Sequence, residues 1–177
     1  SATLTVPCAD QTIMTNWFRK EHLTYCFIII AISEGLLVAS SSVRAQDAIE
    51  FGRASLIIET SKGSHWFDVE VAESDAQRAH GLMFRNEMAP DAGMIFLYRR
   101  DRILTMWMAN TYLPLDMLFI AADGQIVHIA ENTIPLSRAT ISSRRRARAV
   151  LELNAGTASR LDISVGDRVV FDGFPPQ

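Results

Sequence analysis

The sequence predicts a mainly β (β-rich α+β) fold, in which residues 46–177 form a single domain with an antiparallel, barrel-like sheet and one or two short helices. Short segments rich in β-branched and aromatic residues alternate with turn-forming residues, as is typical of such a sheet. In one segment, apolar residues at 67, 69 and 71 alternate with acidic residues, which places one face of a strand inward. With 177 residues and 49% apolar content, the chain has enough material for one core of this kind.

Local signals predict the elements one by one. Ser74 followed by Gln77 has the form of a capping box, which predicts a helix from Asp75 to about Leu82. Strands are expected at 54–60, 65–72, 94–98, 103–108, 115–121, 125–131, 149–153 and 168–171, and one helical turn at 157–161.

Charge and cysteine usage exclude several classes of protein. The formal net charge is −3, so no overall field attracts the chain to nucleic acid or to an anionic membrane. Cys8 and Cys26 both precede residue 46, which leaves the predicted domain without a disulfide, a thiol nucleophile or a cysteine zinc ligand. The sequence also has no serine elbow, phosphate-binding loop or dinucleotide glycine motif.

The first 45 residues predict an N-terminal extension followed by a signal peptide. Translation is expected to start at Met14, and Arg19 and Lys20 would form its positive region. An apolar run over 23–38 follows, and cleavage is expected after Ala45. This pattern predicts an exported protein, periplasmic or secreted. An uncleaved anchor is the alternative, because Glu34 interrupts the apolar run.

A hairpin in the second half of the domain brings two acidic residues into register. Asp123-Gly124 is a type I′ turn pair, and counting outward from it places Asp116 opposite Glu131. Like charges in this arrangement repel, so an arginine, a cation or a shared proton would have to relieve them. The same count pairs Leu118 with Ile129, Ile120 with Val127, and Phe119 with His128.

These residues define a candidate polar pocket near Trp107, Asn110, Asp116 and Glu131. Thr111 would join it, and Arg78 or Arg85 would supply positive charge. In the competing interpretation, one carboxylate caps a turn beside Pro114 and the other reaches solvent. The candidate ligand-binding residues are therefore Trp107, Asn110, Thr111, Asp116, Glu131, Arg78 and Arg85.

Two further patterns suggest ligands. Six of the seven methionines lie between positions 83 and 117, and Met106 and Met108 share one face of a predicted strand. Thioethers suit copper(I), although methionine more often fills a core. Arg144-Arg145-Arg146 could contact phosphate or an anionic envelope surface, although a solvated loop is the simpler interpretation.

Several motifs, taken in order, resemble one protein family. They are Gly81-Leu82-Met83-Phe84, Gly93-Met94-Ile95-Phe96, the block from Trp107 to Asp116, Leu151-Glu152-Leu153-Asn154-Ala155-Gly156, and Gly166-Asp167. Over about residues 55–172 they are similar to the bacterial and archaeal domain of unknown function 192 family. That resemblance implies a small barrel-like β-rich domain, frequent export and no established activity, and it supplies no catalytic residue.

The sequence therefore favours a non-catalytic domain of the cell envelope that binds an unknown small molecule or envelope component. We expect a monomer without a cofactor, without a nucleic-acid partner, and without an integral membrane span once the signal is cleaved. One alternative is a hydrolase of envelope glycans that uses Asp116 and Glu131 as general acid and base. A second alternative is soft-metal (copper) binding by Met106 and Met108.

Overall fold

Two long strands form the centre of the sheet. The computed structural model describes residues 49–174, all of which belong to one compact unit. Seven strands curl into a half-barrel in the order β5-β4-β6-β3-β2-β1-β7. The strands are β1 (Gly52–Thr60), β2 (Gly63–Ala72), β3 (Ala92–Met106), β4 (Leu115–Ile120), β5 (Ile126–Ala130), β6 (Ile141–Asn154) and β7 (Arg168–Val170). The helices are α1 (Asp75–His80) and α2 (Thr157–Arg160).

The predicted fold class is confirmed. Every neighbouring pair of strands is antiparallel except β2 and β3, which run parallel because α1 and the loop after it connect them. Helix α1 has the predicted capping box between Ser74 and Gln77. It ends at His80 rather than Leu82, because Gly81 adopts a φ of 51° that a right-handed helix does not allow.

Strands β3 and β6 correct two of the expected boundaries. Segments 94–98 and 103–108 were expected as separate strands, but 94–98 and 103–106 lie within β3, because residues 98–101 form a bulge that does not end the strand, and the strand ends at Met106 rather than Met108. The arginine run 144–146 was interpreted as a loop, but it belongs to β6, which starts at Ile141. Both errors have the same cause: bulges carry polar residues through a strand.

The β4–β5 hairpin has most of the predicted register. Leu118 pairs with Ile129, and the rings of Phe119 and His128 stack at 5.7 Å. The predicted type I′ turn is wrong, because Gly124 has the required positive φ but Asp123 does not, and the register shifts beside the turn so that Ile120 pairs with Ile126 instead of Val127. That turn requires glycine: a Cβ on Gly124, whose φ is 87°, would lie 2.6 Å from the carbonyl oxygen of Val169.

The sheet is buried on both faces. The side that includes α2 is called the α2 face, and its core includes Leu118, Leu151, Leu153 and Ala158. The opposite side is called the α1 face, and its core includes Leu82, Met94, Met117 and Val150. Because neighbouring residues of a strand point to opposite faces, the positions of β4 and of residues 149–153 of β6 alternate between the two cores.

The predicted N-terminal extension, signal peptide and cleavage position lie outside the described residues. Within residues 49–174, neither helix has the length and apolar character needed to cross a bilayer.

Candidate functional site

A cavity of about 90 Å³ opens on the α1 face, between α1, β3, β6 and the loop that follows β3. This volume accommodates several water molecules or a small ligand group. Its lining combines aromatic, thioether and ionisable side chains. The residues with chemistry to offer are Arg78, His80, Met83, Tyr98, Met106, Trp107, Thr111 and Glu152.

Glu152 is the most unusual residue of this cavity. It lies in the central strand β6, with Met94 and Met117 directly opposite it on the two neighbouring strands. Its side chain is almost fully buried, and no hydrogen bond from the described residues reaches its carboxyl group. Burial raises the pKa of Glu152 to about 8, so the group is protonated at neutral pH.

Tyr98 is held between two guanidinium groups at the edge of the cavity. The Cζ atoms of Arg78 and Arg102 each lie 5.1 Å from the centre of its ring. Its hydroxyl donates to the Met106 sulfur at 3.7 Å. Burial raises the pKa of Tyr98, with the two arginines acting in the opposite direction. Tyr98 is therefore a neutral donor at physiological pH.

Arg78 contributes charge to the cavity, but its donors are engaged. One terminal nitrogen donates to the carbonyl oxygens of Leu97 and Glu73, and the other pairs with Asp75. These contacts fasten α1 to β3. Arg78 therefore supplies a positive field near the cavity rather than a free hydrogen-bond donor.

The loop after β3 covers the cavity. Trp107 lines it while remaining 59% exposed, and Thr111 lines it as a buried residue. Asn110 adopts a φ of 58°, a left-handed conformation that asparagine tolerates, and its side-chain amide donates to the Met83 sulfur at 3.7 Å. The carbonyl oxygen of Asn110 accepts from the Phe84 amide at 2.9 Å, which ties the loop to the segment after α1.

Two exposed aromatic residues directly follow lining residues of the cavity in the chain. Phe84 and Tyr112 are both about half exposed, and their rings meet edge to face with centres 6.2 Å apart. Phe84 has a φ of 64°, which is unfavourable for a bulky residue. The fold thus maintains a strained conformation that presents this ring beside the cavity.

The two carboxylates expected to face each other have different surroundings. Asp116 is fully buried on the α2 face, and its two oxygens accept from the amides of Asn132 and Ala158, each at 2.9 Å. Glu131 is exposed. The β4–β5 ladder begins at the pair Met117 and Ala130, one position inside the predicted acidic pair. The described residues therefore do not join Asp116 and Glu131 in a pocket.

Arg85 also lies away from the cavity. Its guanidinium makes a two-point ion pair with Glu70, with distances of 2.9 and 2.5 Å, in an open cleft of about 430 Å³ beside β1 and β2. Hydrogen bonding to Arg85 lowers the pKa of Glu70, and the same bond raises the pKa of Arg85. Although this cleft is larger, its ion pair is already satisfied, and it offers no unpartnered buried group.

The methionines expected as metal ligands do not share one environment. Met106 lines the cavity, whereas Met108 is fully buried and its sulfur accepts from the Thr133 hydroxyl at 3.2 Å. Among the described residues, no three histidine, cysteine, aspartate or glutamate side chains are grouped as a metal site. Any thioether site would have to use Met106 with Met83, near the positive charge of Arg78.

Of the residues predicted for the site, the cavity contains Arg78, Met106, Trp107 and Thr111, with Asn110 beside it. Sequence reasoning missed Glu152, although a signal was present. A lone acidic residue interrupts the apolar run from Ala149 to Leu153, a segment that must be buried on both faces in a central strand. An acid at such a position requires either a partner or a raised pKa.

The fold and the cavity together describe a small half-barrel domain with a buried acid at a small opening. The chain belongs to the domain of unknown function 192 family (DUF192), described as an uncharacterized ACR, whose model matches residues 57–171. No curated protein matches it.

Two solved structures are similar to the chain. One, from Sinorhizobium meliloti 1021, is described as a candidate transcription regulator; it is 49% identical with a TM-score of 0.68, and the match covers 70% of this chain and 96% of that one. The other, of unknown function, comes from Novosphingobium aromaticivorans DSM 12444. It is 38% identical with a TM-score of 0.66, and the match covers 67% of this chain and 85% of that one.

Proposed function

We propose that this chain is an exported protein of the cell envelope whose domain binds a small ligand, without catalysis, in the Glu152 cavity. The observation that carries the proposal is a buried carboxyl group that opens onto a cavity and has no hydrogen-bond partner in the described residues. This carboxyl group reaches the cavity without being engaged by the protein, so a ligand oxygen in the cavity can accept its hydrogen bond without displacing a protein contact.

The lining indicates the chemistry of the ligand. At neutral pH Glu152 is protonated and can donate, the Tyr98 hydroxyl already donates to Met106 but can still accept, and Arg78 adds a positive field. Trp107 offers an apolar face at the opening. These features together favour a small molecule with a carbonyl or carboxylate oxygen next to an apolar group.

The test is a fragment screen by ligand-observed NMR on the full chain, using small carboxylic acids, amides and alcohols. We expect bound fragments to lose binding in Glu152→Leu and Trp107→Ala and to keep it in Glu131→Gln, the matched control for an exposed carboxylate. Binding should also weaken above about pH 8, since an ionised Glu152 no longer donates. If the fragments bind Glu152→Leu as well as the parent, the proposal is wrong.

Export is the second part of the proposal and rests on the sequence. The positive residues, the apolar run over 23–38 and the small residues before position 46 support it. Fusing residues 14–50 to a reporter enzyme that is active only outside the cytoplasm should give reporter activity. A fusion in which Ile28, Ile29 and Ile30 are replaced by aspartate should give none. Equal activity of the two fusions would contradict export by this segment.

A further inference from the structure

Six exposed arginines gather on one part of the molecule, and none of the six lines the cavity, although Arg102 lies over the ring of the lining residue Tyr98. They come from two segments more than forty positions apart in the chain, so the sequence alone does not place them together. Strand pairing does: Arg102 pairs with Ala147, and Ile103 pairs with Arg146. The six residues are Arg99, Arg100, Arg102, Arg144, Arg145 and Arg146.

These arginines lie on a two-stranded extension of the sheet, which we call the arginine ribbon (residues 98–106 of β3 and 141–148 of β6). The neighbouring strands stop short of it. Strand β2 pairs with β3 only as far as Phe96, and β4 pairs with β6 only as far as Ala149. The ribbon strands therefore pair with each other alone.

Two bulges direct the arginines outward. On β3, four residues lie between the paired positions Leu97 and Arg102, against one on β6, and this bulge carries Arg99 and Arg100. On β6, three residues lie between Ser142 and Arg146, against one on β3, and this bulge carries Arg144 and Arg145. Without the bulges, alternate residues would point into the α1 face.

The second bulge is locked in place. The buried Ser143 hydroxyl accepts from the Leu104 amide at 2.9 Å and donates to the carbonyl oxygen of Arg145. Arg144 adopts a φ of 56°, a left-handed conformation that this bulge imposes on a non-glycine residue. The backbone is thus ordered before any partner arrives, which lowers the entropic cost of binding.

The positive charge of the ribbon is largely uncompensated. Asp101 is the single acidic residue among positions 98–106 and 141–148, and it faces Arg148 at 3.8 Å. No acidic side chain of the described residues pairs with Arg99, Arg100, Arg144 or Arg145. Such a concentration of positive charge, in a chain whose net charge is −3, indicates a local binding site for an anionic partner.

We propose that the arginine ribbon docks the domain onto an anionic lipid surface. Ile103 is 50% exposed in the middle of the arginines, which gives the ribbon an apolar point to enter the interface and cations to meet lipid phosphates. The ribbon presents one face only, because Leu104 and Ala147 pack into the core. A planar surface fits this geometry better than a nucleic-acid groove. A ribbon inside a groove is contacted on both of its faces, whereas this ribbon exposes only one.

The test is vesicle co-sedimentation of the full chain with phosphatidylglycerol–phosphatidylcholine vesicles and with phosphatidylcholine alone. Each basic residue near an anionic surface contributes roughly five-fold in binding, so Arg99→Gln/Arg100→Gln/Arg145→Gln should weaken binding to the anionic vesicles by roughly 100-fold. The matched control is Arg53→Gln/Arg160→Gln/Arg168→Gln, which removes the same charge from exposed arginines elsewhere. Comparing variants within the full chain cancels any contribution of the N-terminal apolar segment.

Further measurements distinguish binding to lipid phosphate from binding to free phosphate or to nucleic acid. We expect the anionic preference to be lost in 0.5 M salt, reduced by Ile103→Ser, and unaffected by millimolar inorganic phosphate. Equal weakening by both triple variants would overturn the proposal, as would an absence of preference for the anionic vesicles. Displacement of the protein from vesicles by a short DNA duplex, with the duplex binding lost only in the ribbon variant, would reassign the surface to nucleic acid.

Discussion

Two buried carboxyl groups on adjacent strands have opposite relations to their surroundings. Asp116 pairs with Leu153 and points to the α2 face, while Glu152 pairs with Met117 and points to the α1 face. Asp116 accepts two backbone amide hydrogen bonds, whereas Glu152 accepts none from the described residues. The same functional group is therefore structural on one side of the sheet and available on the other.

The hydrogen-bond partners of a buried acid distinguish a structural role from a functional one. The two amides that Asp116 binds begin helix α2 and the segment after β5, so this carboxylate connects three parts of the chain. Glu152 connects nothing and has a raised pKa, which is a source of instability that packing alone does not require. We infer that ligand binding, rather than folding, explains the acid at position 152.

The largest expected effect comes from removing the structural acid. Asp116→Ala leaves the buried amide of Ala158 and the part-buried amide of Asn132 without acceptors, unfavourable by about 2 kcal/mol and about 1 kcal/mol respectively. We expect the free energy of unfolding to fall by about 3 kcal/mol, measured by urea denaturation at pH 7.

Glu131→Ala is the control, because that side chain is exposed. It should change the free energy of unfolding by no more than about 0.5 kcal/mol. If Glu131→Ala were as damaging as Asp116→Ala, the two residues would be coupled as the hairpin register predicted. A loss below about 1 kcal/mol in Asp116→Ala would show that the two amides are satisfied in another way.

The sequence predicts the hairpin, but it does not predict that Asp116 and Glu152 lie in different environments. Asp-Gly correctly predicts the pairing of Leu118 with Ile129, because the turn and the residues beside it are local. The acceptor role of Asp116 depends on Ala158, 42 residues away, and no local pattern encodes that contact. Like the arginine ribbon, it arises from strand order and bulges, which only the complete fold determines.

The prediction of the site was incomplete for the same reason. The block from Trp107 to Asp116 is distinctive, and its first half does cover the cavity. Its last residue, however, lies in β4, where the side chain points through the sheet to the other face. Side chains of a strand alternate, so a single position separates the two cores. Proximity in sequence therefore suggested one pocket where the fold has two separate environments.

A smaller effect is expected from the pH dependence of Glu152. Its pKa is raised to about 8 in the folded protein, so the folded state holds a proton that the unfolded state releases above its ordinary pKa of 4.5. Stability is therefore greatest below pH 4.5 and is lost as the pH rises towards 8, by about 1.4 kcal/mol per pH unit. Glu152→Gln has no such proton and should lack this slope.

Urea denaturation at pH 5, 6 and 7 measures the effect as a difference between the parent and Glu152→Gln. Over this range we expect the parent to lose about 2–3 kcal/mol relative to the variant. Other titrating groups are common to both proteins and cancel. Parallel stability curves would mean that Glu152 has an ordinary pKa, and the distinction between the two acids would then be lost.

The smallest expected effect concerns Glu70, a third carboxylate that is stabilised by an ion pair rather than by amides. Its pairing with Arg85 lowers the pKa of Glu70, so the pair contributes stability above the ordinary pKa of 4.5 and loses it as the pH falls through the lowered value.

Arg85→Gln should reduce the free energy of unfolding by about 1 kcal/mol at pH 7. Arg53→Gln, which removes a nearby charge that acts on Glu70 through the electrostatic field alone, should have less effect than Arg85→Gln. The pH dependence of this pair is opposite in sign to that of Glu152, so variants at Glu70 and Glu152 that gave slopes of the same sign would refute the classification by partner.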